Sequence, residues 1–156
     1  MRNIYLKPGE VLVTGTPALV STILGSCVAV TMFSASRGLG AICHAMLPVN
    51  CSQETDFRYV DTALRYLHAK MMEHDGGNDL VVKLFGGAQV LDTGEPAPEK
   101  QTVGDQNIAQ AEAVLASLGL AVSVCDTGGY RGRKLFFCTQ NGDVYLRRMR
   151  AQTSNQ

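Results

Sequence analysis

Hydrophobic positions along the chain recur with two periods. Runs rich in β-branched and aliphatic residues read as strands at GEVLVTG (9–15), VAVTMFS (28–34), LGAICHAML (39–47) and within NDLVVKLFGGA (78–88). TILGSC (22–27) reads as a glycine-hinged turn that feeds the second of these. Between Asp56 and Asp75 the period lengthens: Tyr59, Val60, Ala63, Leu64, Tyr66, Leu67 and Met71 fall at helical spacing. Thr55 or Asp56 is the expected N-cap and Gly76-Gly77 the expected stop. LDTGEPAPEKQ (91–101) is a polar loop with two prolines. A second helix is expected over 103–118, with Ile108, Ala111, Leu115 and Leu118 on one face, Thr102 and Asp105 as a capping pair, and Gly119 as its stop. LAVSVCD (120–126) is a strand and DTGGYRG a turn. Asn141-Gly142 between RKLFFCTQ and DVYLRRM signals a β-hairpin. About six or seven strands with two main helices make an α+β domain. Residues 1–150 are expected to form that single domain, and 151–156 a frayed polar tail.

Composition narrows the classes. The chain has 156 residues, 46% of them hydrophobic and 18% charged, which fits a globular domain with its own core. Fourteen basic residues balance fourteen acidic ones, so bulk charge gives no pull toward nucleic acid or an anionic membrane. MRNIYLKPGE has no continuous apolar stretch, so no signal peptide is expected, and no run is long enough for a membrane span. A cytoplasmic protein is the expectation. The cysteines, at 27, 43, 51, 125 and 138, are odd in number and lack C-x-x-C spacing, which disfavours both a disulfide framework and a zinc site. Cys43, Cys125 and Cys138 read as small core hydrophobes. His68 and His74 read as structural or solvated residues of the first helix. Arg131, Arg133, Lys134, Arg147, Arg148 and Arg150 gather near the end; they read either as a contact patch for an acidic partner or, the favoured reading, as outward-facing guards of an edge hairpin.

One pair of residues changes the picture. Cys27 follows Gly25-Ser26 at the mouth of one strand, and His44 lies on the next. Strand pairing can bring such residues into contact. A cysteine nucleophile needs a base for its proton, and imidazole titrates in the useful range. A third group must orient the ring, and N–H donors must meet the developing oxyanion. Gly25 and Ser26 would allow the tight backbone that aims consecutive N–H groups at one point. Spacing alone leaves open that both residues simply belong to a core.

The motifs extend along the whole chain. LGSCVAV (24–30), His44-x-Met46-Leu47-Pro48, RYVDTALRYL (58–67), KLFGGA (83–88), VGDQN (103–107) and DTGGYRGRKLFF (126–137) together resemble the chemoreceptor glutamine deamidases called CheD. The resemblance implies a layered α/β/β sandwich with mixed sheets, a fold shared with bacterial toxins that deamidate glutamine. It implies Cys27 as nucleophile, His44 as general base and a hydroxyl residue six before the cysteine as the third member. That position holds Ser21 where the family has threonine, and Thr22 follows it, so the third residue is Ser21 or Thr22; alternation lets only one face His44. The implied activity is conversion of glutamines of methyl-accepting chemotaxis receptors to glutamate through a cysteine thioester, without cofactor or metal. The implied partners are receptor cytoplasmic domains and the CheC phosphatase. Gly86-Gly87 and Gly128-Gly129 either shape a substrate groove or make tight turns. Two rival readings stand beside this one: a weakly catalytic or non-catalytic module that regulates CheC, and a cysteine hydrolase acting on a small molecule.

Overall fold

The computed structural model describes residues 1–90 and 102–150. In chain order its elements are β1 (Arg2–Tyr5), β2 (Val11–Thr14), β3 (Ala18–Leu24), β4 (Val28–Ser34), β5 (Leu39–Ala45), α1 (Val60–Glu73), β6 (Leu80–Gly86), α2 (Val103–Ser117), β7 (Val122–Thr127), β8 (Arg133–Cys138) and β9 (Val144–Arg148). The strands form two sheets, one ordered β1-β3-β8-β9 and the other β2-β5-β4-β6-β7. Both mix parallel and antiparallel pairs: β1 runs parallel to β3 and β6 to β7, and the remaining pairs are antiparallel.

Strands β4 and β5 are buried at every position, because the five-stranded sheet is covered on both faces. Val28, Val30, Met32, Ala41 and Cys43 face the helices and pack on Val60, Leu64, Leu67, Met71, Ala111 and Leu115. The alternate residues, Ala29 and Ile42, face the other sheet and pack on Val20, Leu24, Leu135 and Phe137. Each such large side chain contributes roughly 1.5–3 kcal/mol by leaving water. The result is an α+β sandwich of three layers, helices on sheet on sheet, as expected.

Several local expectations need correction. Among the described residues nine strands replace the six or seven expected, because β1 and β3 were not anticipated. Thr22, Ile23 and Leu24 belong to β3, and the turn is confined to residues 25–27. The first helix begins at Val60, later than expected, with Tyr59 as an N-cap that lacks a side-chain bond. The preceding segment is held extended: the N–H groups of Met46 and Leu47 both donate to the Arg58 carbonyl, and Tyr59 bridges Leu47. Asp56 instead accepts from the Arg58 guanidinium. At the other end Asp75 takes the left-handed turn, φ 60°, and Gly76 N–H closes onto the Met71 carbonyl at 2.8 Å. The capping box of Thr102 and Asp105 on α2 is present as expected. Asn141-Gly142 lies in a connection closed by Cys138 N–H on the Asp143 carbonyl and Gly142 N–H on the Cys138 carbonyl. Cys43 and Cys138 are buried, but Cys125 is exposed, because it lies on the edge strand β7, where Ser123 and Val124 are exposed as well. Arg133 is only 3% exposed rather than an outward guard, since β8 lies inside its sheet. The polar loop at 91–101 and the tail 151–156 lie outside the described residues. Among the described residues no helix is long and apolar enough to cross a membrane.

Candidate active site

The site lies where the two sheets face each other. Alternation along β5 puts His44 on the same side as Ile42, toward the inner sheet, and leaves it 1% exposed. Alternation along β3 turns Thr22 inward with Val20 and Leu24, while Ser21 sits on the opposite face and is half-buried. A hydroxyl among apolar neighbours needs partners. Thr22 Oγ1 has two: it donates to the Leu6 carbonyl at 2.7 Å and lies 2.6 Å from His44 Nδ1. The hydroxyl has a single proton, and the carbonyl can only accept it. The second bond must therefore run from His44 Nδ1–H to Thr22 Oγ1. This fixes the tautomer and leaves a lone pair on Nε2, which is buried with no hydrogen-bond partner among the described residues.

Cys27 immediately precedes β4. Ala29 is the register partner of His44, so Cys27, two residues earlier, is its diagonal neighbour on the same face. Its partly buried side chain packs against the same apolar cluster as Ala29 and Ile42. Thr22 and His44 are thus bonded across the two sheets, Cys27 lies at the adjoining strand end, and Ser21 faces away.

Burial favours the neutral form of both side chains. His44 is lowered to about 4 by desolvation, so its ring is uncharged near neutral pH. Desolvation also raises the Cys27 thiol, against a smaller opposing pull from its own backbone N–H. The resting pair is thiol and imidazole rather than thiolate and imidazolium.

The turn that presents Cys27 is held from three sides. Gly87 N–H donates to the Cys27 carbonyl at 2.8 Å, and Ala88 N–H to the Gly25 carbonyl at 3.0 Å. Gly86, at φ 105°, approaches so closely that a Cβ there would stand 2.3 Å from the Cys27 carbonyl oxygen. Gly86 thus closes β6 in a close backbone approach to Cys27 that a side chain would block. From the helical layer, Asn107 Nδ2 donates to the carbonyls of Ser26 and Met46, both at 3.0 Å, which ties the turn to the end of β5. Asn107, within VGDQN, has no role assignable from its motif alone; the sequence signal for one is a lone amide one turn before Ala111 on the apolar face of α2. The N–H groups of Gly25 and Ser26 have no hydrogen-bond acceptor among the described residues, whereas the Cys27 N–H is turned toward its own sulfur.

The comparisons agree with one another. The family model for CheD, described as CheD chemotactic sensory transduction, matches residues 46–148. A protein of Geobacter sulfurreducens named probable chemoreceptor glutamine deamidase CheD 2 is 45% identical over 148 residues, covering 94% of this chain and 90% of that protein. Proteins named probable chemoreceptor glutamine deamidase CheD from Maridesulfovibrio salexigens and Nitratidesulfovibrio vulgaris are 42% and 38% identical, each over 96% of this chain and over 93% and 79% of their own lengths. The family model begins after His44, but these longer alignments are too extensive to omit residues 21–44. With a matching family model over most of the sequence and relatives of this identity over nearly all of it, the chain belongs to the CheD family.

Proposed function

We propose that this protein is a chemoreceptor glutamine deamidase, with Cys27 as nucleophile, His44 as base and Thr22 as the group that orients the ring. The names of the relatives support the substrate class. The observation that carries the residue roles is the Thr22–His44 bond of 2.6 Å, which leaves His44 Nε2 bare on the face shared with Cys27.

Because both groups rest neutral, proton transfer accompanies attack. As Cys27 Sγ bonds to the glutamine amide carbon, its proton passes to His44 Nε2. The carbonyl oxygen gains negative charge and accepts hydrogen bonds donated by the backbone N–H groups of Gly25 and Ser26. His44 returns the proton to the amide nitrogen, the C–N bond breaks and ammonia leaves. Water then adds to the thioester carbon while giving a proton to His44. The C–S bond breaks, the sulfur recovers that proton, and glutamate remains. Thr22 holds the imidazolium through Nδ1–H at each half-reaction.

The working location on this reading is the cytoplasm, against the cytoplasmic domains of methyl-accepting receptors, with CheC as a proposed regulatory partner. The experiment is incubation with receptor cytoplasmic fragments followed by peptide mass spectrometry. A glutamine-to-glutamate conversion that Cys27→Ala abolishes supports the reading. Conversion that survives Cys27→Ala removes Cys27 from the chemistry, and no conversion by the intact protein favours the regulatory module.

A further inference from the structure

A second polar site adjoins the cysteine turn. A cleft of about 350 Å³ is lined by the Thr127–Gly129 turn, Tyr130 and three arginines, Arg131, Arg133 and Arg148. Only one carboxylate among the described residues pairs with these cations. Arg133 Nε and Arg148 Nη2 both approach Asp126 at 2.9 Å, and Arg133 Nη2 donates to the Gly128 carbonyl at 2.9 Å. Arg131 is exposed and has no ion pair among the described residues. Arg133 Nη1 is buried and has no acceptor among the described residues. A buried guanidinium N–H without an acceptor is costly, and two arginines sharing one carboxylate leave a positive excess. A planar carboxylate is the group that matches a guanidinium fork.

The backbone joins this cleft to the catalytic turn. Gly128 N–H donates to the Gly86 carbonyl at 2.9 Å and Gln89 N–H to the Gly129 carbonyl at 2.8 Å. Gly87 and Ala88, between those residues, hold the carbonyls of Cys27 and Gly25. Arg133 is itself the register partner of Leu24, just before the turn.

We infer that the arginine cleft binds an acidic side chain of the protein substrate that flanks the glutamine delivered to Cys27, and so selects glutamines with an acidic neighbour. This rests on the reading of Cys27 as nucleophile, and its test is a binding measurement that needs no turnover. Arg131 and Arg148 are the residues to change, because Arg148 has a side chain 55% exposed and Arg131 is also exposed, whereas Arg133 is buried in an ion pair.

The full chain bearing Cys27→Ala is titrated with a fluorescent receptor cytoplasmic fragment. A second fragment has the Asp and Glu residues within two helical turns of the deamidated glutamine changed to Asn and Gln. The acidic fragment is expected to bind about fivefold more tightly. Arg131→Gln with Arg148→Gln should erase that difference without weakening the neutral fragment. Arg148→Glu should regain affinity for a fragment whose flanking Glu is changed to Lys. Equal binding of the two fragments to the arginine-intact protein overturns the inference, as does an equal loss for both in the arginine variants. Residual turnover in Cys27→Ala counts against the catalytic reading alone, since the binding arms still judge the cleft.

Discussion

Thr22 Oγ1 stands 2.6 Å from His44 Nδ1 while giving its own proton to the Leu6 carbonyl, so a residue of one sheet sets the tautomer of a histidine in the other. Ser21, one residue earlier, lies on the opposite face of β3 and cannot take this part. Thr22→Ala is therefore expected to lower kcat by about tenfold to a thousandfold, as loss of an orienting group does. Thr22→Ser keeps the hydroxyl and should retain most of the rate. Ser21→Ala should change kcat little. Steady-state kinetics on a receptor fragment checks all three, and a dead Ser21→Ala beside an active Thr22→Ala reverses the assignment.

Cys27→Ala and Cys27→Ser should both abolish deamidation with the fold intact by circular dichroism. A serine hydroxyl is far less acidic than a thiol. Cys43→Ala removes a fully buried side chain and should cost about 1 kcal/mol without touching the chemistry. Cys125→Ala alters an exposed position and should stay within about 0.5 kcal/mol of the parent.

The resting protonation state is open to direct measurement. Desolvation raises the Cys27 thiol and keeps His44 neutral, so the rate of alkylation by iodoacetamide should climb with pH through neutrality and beyond the ordinary thiol value of about 8.5. A rate already flat from pH 6 upward would reveal a resident thiolate–imidazolium pair.

His44 also ties stability to pH. Its folded value of about 4 lies below the ordinary value, so between the two the unfolded chain binds more protons. Stability then falls as pH drops below about 6.5, by about 2 kcal/mol between pH 7 and pH 5. Carboxylates contribute little in that window, because the shifted ones, such as Asp79 and Asp126, titrate lower still. Urea titrations at the two pH values should show the loss in the parent and a much smaller one in His44→Gln. Equal losses in both would place the titration elsewhere.

Asn107 spans two carbonyls that lose their partner in Asn107→Ala. The change should cost about 1–3 kcal/mol, and deamidation should fall because the Cys27 turn is no longer tied to β5. Asn107→Asp turns a donor into an acceptor facing two carbonyls and should be worse. Melting temperatures together with kcat at a permissive temperature separate the two effects, and an Asn107→Ala enzyme of unchanged kcat would confine the residue to stability.

The strands β4 and β5 and the second helix with its capping box were legible in the sequence, because local periodicity and capping chemistry dictate them. The placement of Cys27 just before one strand and of His44 on the next was legible too. β3 was not, since Leu19 and Ile23 are as apolar as Val20 and Leu24, so neither face announced itself as the inner one. That ambiguity is what left Ser21 and Thr22 unresolved. Packing against Leu135 and Phe137 settled it by turning Val20, Thr22 and Leu24 inward, where the Leu6 carbonyl and His44 satisfy the hydroxyl. Asn107, the buried Arg133 and the exposed Cys125 are decisions of the same kind. Sequence determines which residues can share a strand or a helix; only the stacking of the layers decides which face meets a partner, because burial and hydrogen-bond satisfaction are set by residues far away in the chain.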